Sequence, residues 1–223
     1  HPNKKTCSLL GYRFFHLFIY FYSIFTMSKI DLSLENNAHL LEQKDQSQEM
    51  FRGNFLNLHR DTVKMPNGSL ATRDYFAHPG AAVIIALTAN NELVLEKQFR
   101  YPVGQVLLEF PAGKLDPKET DLDCAKRELL EETGYVAQQW AKLPLVHLAP
   151  AYCTEELHIF VAKDLQLQER ALDEGELIDI VLMKPADLFN LCYKGQVSSA
   201  VTLTTCFWLQ AYLSGQLELN WQN

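Results

Sequence analysis

Four glutamates, Glu119, Glu128, Glu131 and Glu132, stand with Arg127 between two glycines, Gly113 and Gly134, in the run G-K-L-D-P-K-E-T-D-L-D-C-A-K-R-E-L-L-E-E-T-G-Y over residues 113–135. Carboxylates at this density suit a hard divalent cation. Mg²⁺ in particular takes a few carboxylate oxygens, keeps waters and shares the rest of its octahedron with substrate phosphates. The element that must position them is a helix. Thr120 or Asp121 can cap its start, with Asp123 placed for a capping-box-like pair, while Leu122, Ala125 and Leu129 recur at helical spacing as a buried stripe. Gly134 suits the left-handed residue that ends a helix. These signals predict a helix over about 121–132, on which Glu128, Glu131 and Glu132 fall within roughly one quadrant beside the stripe. Like charges four apart cost about 0.2–0.5 kcal/mol, and acids in a last turn oppose the helix dipole. A bound cation would offset both.

A solvated acidic face, with Arg127 as a surface ion pair, accounts for three glutamates taken alone. It does not account for the whole pattern. G-x5-E-x7-R-E-U-x-E-E-x-G-U, with U aliphatic, carries seven fixed identities that chance would supply on the order of once in a million chains of this length. The spacing resembles the Nudix box, and only the last position departs, because Tyr135 stands where a further aliphatic residue is usual. Two more segments extend the resemblance to the ADP-ribose pyrophosphatase branch of the Nudix hydrolases. One is Gln98-Phe99-Arg100 followed by Glu109-Phe110-Pro111-Ala112-Gly113. The other is Pro150-Ala151-Tyr152-Cys153-Thr154-Glu155, similar to that branch's P-G-[YF]-[ST]-[DS]-E loop, with Ala151 replacing the usual glycine.

The resemblance covers roughly residues 51–215. It implies an α/β (α+β) Nudix fold, a mixed β-sheet between helices with an N-terminal antiparallel hairpin or small sheet. It also implies hydrolysis, dependent on Mg²⁺ with Mn²⁺ as a substitute, of the pyrophosphate of ADP-ribose or a related nucleoside diphosphate sugar, giving a nucleoside monophosphate and a sugar phosphate. By the same resemblance the Ala112 carbonyl, Glu128, Glu132 and Glu176 contact metal. Glu131, Glu174, Glu176 and Arg127 form the catalytic set, with Glu119 pairing with Arg127; of Glu174 and Glu176, one orients or deprotonates the attacking water and the other binds metal, Glu174 being the better candidate for the water and Glu176 for the metal. Arg100 grips phosphate through its fork of donors. Glu109 contacts substrate, Glu155 faces it and Glu156 turns away, and Tyr152 either stacks on a base or ribose or packs within its loop. Pro111 fixes the backbone before the Ala112 carbonyl. The alternatives are GDP-mannose or another nucleotide sugar or dinucleotide on the same site, or a non-catalytic ADP-ribose-binding regulator; the chain has lost none of the box glutamates that such regulators lose. A homodimer built through the N-terminal strands is a further implication.

The chain has 223 residues, 48% hydrophobic and 21% charged, enough for one sizeable core. Acidic residues outnumber basic ones 27 to 20, which argues against a general binder of nucleic acid or anionic membrane. The five cysteines are odd in number and contain no C-x-x-C, so reduced thiols and a cytoplasmic location are expected. Residues 1–26 are aromatic-rich and apolar but broken by Gly11, Arg13 and His16, and read as an extension upstream of a natural start at Met27, the competing reading being a membrane anchor. Residues 27–50 read as a polar arm in which Leu32, Leu34, Leu40 and Leu41 hint at a short helix, 51–215 as the hydrolase domain and 216–223 as a tail.

Within the domain, alternation predicts a strand over 51–63, a turn at Met65-Pro66-Asn67-Gly68 and a hairpin partner over 71–76. A buried strand follows over 81–87, then a turn at Asn90-Asn91 and a strand over 93–99. Beyond the box, a loop and a strand containing Val146 and Leu148 are expected, then a strand marked by Leu157, Ile159 and Val161. Residues 173–180 form a second acidic cluster ahead of a strand. Helices are expected over 185–195 and over 199–213, the latter with Phe207, Trp208 and Tyr212 on a packing face.

Overall fold

The computed structural model describes residues 30–172 and 175–222. The proposed extension over 1–26 and Glu174 lie outside the described residues. Two compact units are distinguished, one comprising residues up to 43 with 64–69, the other 44–63 with 70–223. In the first, Asp31 accepts the Ser33 amide at 2.8 Å, the Asn37 side chain donates to the carbonyls of Asp31 and Ser33, and a single 3-10 turn, Ala38–Leu40, stands where the leucine pattern hinted at a helix. Its second segment is a tight turn closed by the Met65 amide on the Ser69 carbonyl at 2.8 Å, with Gly68 at φ 85°.

The rest is organised by β4 (Ala81–Leu87), whose seven residues are all buried. Alternation sends Ala81, Val83, Ile85 and Leu87 to one face and Ala82, Ile84 and Ala86 to the other. The first set packs with Leu93, Leu95, Leu157, Ile159 and Val161 against Leu188 of α2 (Pro185–Tyr193) and Leu209 of α3 (Ala200–Leu213). The second packs with Val94, Trp140 and Phe160 against Cys124, Ala125 and Leu129 of α1 (Asp121–Thr133). A mixed sheet thus lies between α1 and the α2–α3 pair.

That sheet runs β11-β5-β4-β10-β8-β12, with β5 Leu93–Arg100, β8 Tyr135–Lys142, β10 Glu156–Leu167, β11 Ile178–Met183 and β12 Trp221–Gln222. β10 pairs with β4 in parallel and β5 pairs with it antiparallel, but only at Leu93 and Val94. Beyond that point β5 takes β6 (Gln105–Glu109) as its partner, while the first residues of β4 pair with β7 (Ala112–Lys114). Residues 105–114 therefore fill a split between β4 and β5, tied there by the Ile84 amide on the Pro111 carbonyl at 2.9 Å. A second, three-stranded sheet has the order β1-β2-β3 (Gln43–Arg52, Asn57–Lys64, Leu70–Phe76). It joins the main body where the Phe76 amide meets the Tyr152 carbonyl at 2.8 Å and the Thr154 amide meets the Phe76 carbonyl at 3.0 Å. The short β9 (Val146–His147) pairs with β10.

The helix expected over 121–132 is α1. Thr120 accepts the Asp123 amide at 3.1 Å and Gly134 closes the helix at φ 75°, its amide on the Leu130 carbonyl. The Asp123 carboxylate bonds the Thr120 hydroxyl at 2.7 Å, a variant of the capping box. Other expectations need correction. β1 occupies the last third of the stretch read as a polar arm; all ten of its residues are exposed, so no apolar alternation marked it. β8 lies where a loop was expected, because its burial does not alternate, and β12 turns part of the expected tail into a strand paired with it. On α3 the buried positions are Thr202, Thr205, Cys206 and Leu209; Trp208 and Tyr212 pack at its flank, but Phe207 is 62% exposed, lying 100° around the helix from Cys206.

Leu129 is fully buried between α1 and the sheet. Leu129→Ala is expected to cost about 2–5 kcal/mol in urea unfolding, with the cavity term adding to lost burial.

Candidate active site

Arg127 organises the acidic residues of α1. Its Nε and Nη2 donate to the two carboxylate oxygens of Glu119 at 2.8 and 2.9 Å, and its Nη1 donates to Glu128 at 2.7 Å and to Glu131 at 3.0 Å. Nη2 also reaches the Lys114 carbonyl at 3.2 Å, which ties the helix to β7. The bidentate fork on Glu119 is the strongest of these geometries. With the Asp116 amide as a further donor at 2.9 Å, it holds the Glu119 carboxyl down at about 2 from its ordinary 4.5.

Glu128 faces Gly113 so closely that a Cβ built there would lie 1.9 Å from its carboxylate. Only glycine leaves that carboxylate where it is. Glu132 points away from Arg127 into the sheet; it is 4% exposed and accepts the Ala112 amide at 2.9 Å. Burial, foremost, and then the negative charges of Glu96, Glu128 and Glu176 push its carboxyl up to about 10. Burial likewise raises Glu128, with Glu131 and Glu176 adding to it and Arg127 opposing.

On the sheet side, Arg100 donates from Nε to Glu109 at 2.7 Å. Both line an open cleft of about 210 Å³ together with Phe55, His78, Lys114 and Glu155, and Ala112 and Gly113 form part of its wall. His78 stands edge-on to Phe55 at 5.4 Å and 3.8 Å from the Glu155 carboxylate. Burial lowers the proton affinity of His78, with the Glu155 charge opposing and that of Lys114 adding to the effect.

The structure thus brings Glu119, Arg127, Glu128 and Glu131 into one network, sets Glu132 against Ala112, and gathers Arg100, Glu109 and Glu155 at one cleft. Glu176 is near enough for its charge to act on Glu128 and Glu132. Tyr152 is 57% exposed and does not line the cleft, and Glu156 lies by His158 at 3.9 Å. Glu174 lies outside the described residues.

Sequence reasoning missed Glu96, whose signal was an acid ending the apolar run L-V-L-E of a buried strand. It also missed Phe55, His78 and Lys114, which nothing local distinguishes. Glu96 is 0% exposed, and neither of its carboxylate oxygens has a hydrogen-bond partner. Burial, with the charges of Glu109 and Glu176, raises it to about 8 against the pull of Arg100 and Arg170.

Among the described residues no three acidic, histidine or cysteine side chains already converge as a cation cage. The donor set nevertheless fits a divalent cation: buried carboxylates crowd one another, and two buried oxygens lack any donor. Among the described residues no helix is long and apolar enough to cross a membrane.

The cleft sets Arg100 and Lys114 beside Ala112 and Gly113, the two residues that the buried acids Glu132 and Glu128 meet, an arrangement suited to a phosphate-bearing substrate. Residues 77–204 match the NUDIX domain, and residues 42–76 match the nucleoside diphosphate sugar hydrolase N-terminal domain. The chain belongs to the Nudix family and is a Nudix hydrolase. It is 35% identical over 173 residues to the ADP-ribose pyrophosphatase of Bacillus subtilis (strain 168), covering 76% of this chain and 94% of that protein. It is 27% identical over 169 residues to a GDP-mannose pyrophosphatase of Yersinia enterocolitica, covering 70% and 88%. The fold matches a crystal structure of an ADP compounds hydrolase with a TM-score of 0.70 at 22% identity, over 79% of this chain and 97% of that one.

Two outcomes test this geometry. Because the Glu119 carboxyl is depressed in the folded state, its stabilisation is complete above its unfolded pKa of about 4.5 and is lost as pH falls toward 2. The Tm difference between wild type and Glu119→Gln should therefore be largest near neutral pH and close on acidification. Gly113→Ala should leave the fold intact by circular dichroism but displace the Glu128 carboxylate, lowering hydrolase turnover and divalent-cation affinity together.

Proposed function

We propose that this Nudix hydrolase splits the pyrophosphate of ADP-ribose or a closely related nucleoside diphosphate sugar, with Mg²⁺ as its ion, releasing AMP and ribose 5-phosphate in the case of ADP-ribose. The observation that carries this reading is the juxtaposition of the Arg100–Glu109–Lys114 cleft with the buried carboxylates Glu128 and Glu132 at Ala112–Gly113. Relatives that are pyrophosphatases of ADP-ribose support it.

In this reading Glu128, Glu132 and the Ala112 carbonyl, with Glu176, hold the ion. When bound, it offsets the charge of the diphosphate and makes a water a competent nucleophile at neutral pH. The chain's own groups do the rest. Arg100 and Lys114 attract and orient phosphate oxygens, Arg100 being held in place by Glu109. Arg127 fixes Glu128 and Glu131 while its tie to Glu119 fixes Arg127 itself. Glu131, Glu174 and Glu176 are the candidates for positioning water or taking its proton. Glu155 faces the substrate from the cleft wall, and Tyr152 meets a base or ribose only if its loop moves toward the cleft. The exposed N-terminal strands, β1 above all, would supply a homodimer contact, and a cytoplasmic setting suits the free cysteines among the described residues. The GDP-mannose pyrophosphatase relative makes GDP-mannose the second substrate to consider.

A panel of ADP-ribose, GDP-mannose, NADH and dinucleoside polyphosphates, incubated with Mg²⁺ and with chelator, tests the reading. The highest kcat/KM should fall on ADP-ribose and vanish with chelator; an intact pyrophosphate in every substrate would overturn it. Glu132→Gln keeps shape and loses charge, so kcat should fall by several orders of magnitude with the fold unchanged.

A further inference from the structure

Glu96 is an ionisable residue in the interior of the sheet whose side chain makes no hydrogen bond. On β5, Val94 packs into the cluster under α1, and strand alternation puts Glu96 on that same face. β11 covers one edge of the strand, with Ile180 opposite Glu96, and β6 covers the other, with Glu109 opposite. Water is therefore excluded on every side, and the residue is 0% exposed with both oxygens unpartnered. A buried carboxylate in that condition costs far more than an apolar side chain of similar size would.

Neither nearby cation donates to Glu96, although the buried Nε of Arg170 is itself without a partner. Arg100 donates to Glu109 at 2.7 Å, and Arg170 donates from Nη2 to the Ile178 carbonyl at 2.9 Å. The nearby acids are those of the proposed cation site. Glu109 faces Glu96 across the ladder, and three residues further along the same segment the Ala112 amide holds Glu132.

We propose that Glu96 is a further ligand of the divalent cation, meeting it from the sheet while Glu128 and Glu132 meet it from α1. The inference rests on the reading that a divalent cation occupies this site, and it adds a ligand that lies outside the glutamate-rich box. It gives the two orphaned oxygens a partner and gives the buried charge a compensating one.

Mn²⁺ binding to the full chain, followed by electron paramagnetic resonance and by the Tm shift on Mn²⁺ addition, tests this without reference to turnover. Glu96→Gln should fold with a metal-free Tm at or above that of wild type, and should bind Mn²⁺ about tenfold or more weakly. Glu96→Asp keeps the charge but shortens the reach, and it should also weaken Mn²⁺ binding, which covers the case in which the glutamine variant does not fold. Wild-type Mn²⁺ affinity and stoichiometry in either folded variant would overturn the inference and leave the cation reading standing. A lowered metal-free Tm with unchanged Mn²⁺ affinity would instead assign Glu96 to an ion pair with Arg170, and would overturn it too. Wild-type protein that binds no Mn²⁺ would remove the cation reading itself.

Discussion

The constraint on which the rest depends is the crowding of like charges at one end of α1. Arg127 is the single guanidinium for Glu119, Glu128 and Glu131, and it leaves that group with excess negative charge. Glu132 and Glu96 have no such partner and are buried. Two unit charges about 4 Å apart would interact by about 4 kcal/mol at the effective dielectric typical of protein sites, so carboxylates gathered in this way need relief. Protonation relieves it in one way, as the raised carboxyls of Glu96 and Glu132 register, and a divalent cation relieves it in another.

The backbone feature that creates the crowding is the split in the sheet. Were β4 and β5 paired along their whole length, no segment could enter between them. Because their ladder stops after Leu93 and Val94, residues 105–114 enter with β6 on one side and β7 on the other. That single segment carries Glu109 to Arg100, the Ala112 amide to Glu132 and Gly113 under Glu128. Its proline falls at the crossing from one ladder to the other, where its carbonyl still accepts the Ile84 amide.

How much of this was legible in the sequence follows from the range of the interactions involved. α1 could be placed to within a residue because its cap, stripe and terminal glycine are all local, and β4 because seven successive apolar residues admit few other readings. The pairing of Glu119 with Arg127 was legible through the family resemblance rather than through spacing. β1, β8 and β12 were not legible, since backbone pairing with a neighbour holds them and their side chains show no alternating burial. Phe207 was misplaced because α3 is apolar around much of its circumference, so composition could not choose its inward face. The environment of Glu96 depends on β6 and β11 flanking β5, a fact of topology that no window of sequence contains.

The same topology explains why so unfavourable a cluster is tolerated. The cost of burying Glu96 and Glu132 falls where apolar burial is densest: all of β4 and the first three residues of β5 are buried, and clusters on both sheet faces lie directly beneath the site. Each fully buried aliphatic side chain there contributes roughly 1.5–3 kcal/mol, so a few of them offset one compressed carboxylate. Placed on an edge strand such as β1, the same acids would be solvated and cheap, but they would also relax apart and lose the electrostatic pressure that favours a cation. The rigid centre of the sheet is therefore the part of this fold where repelling carboxylates can be kept both dry and close.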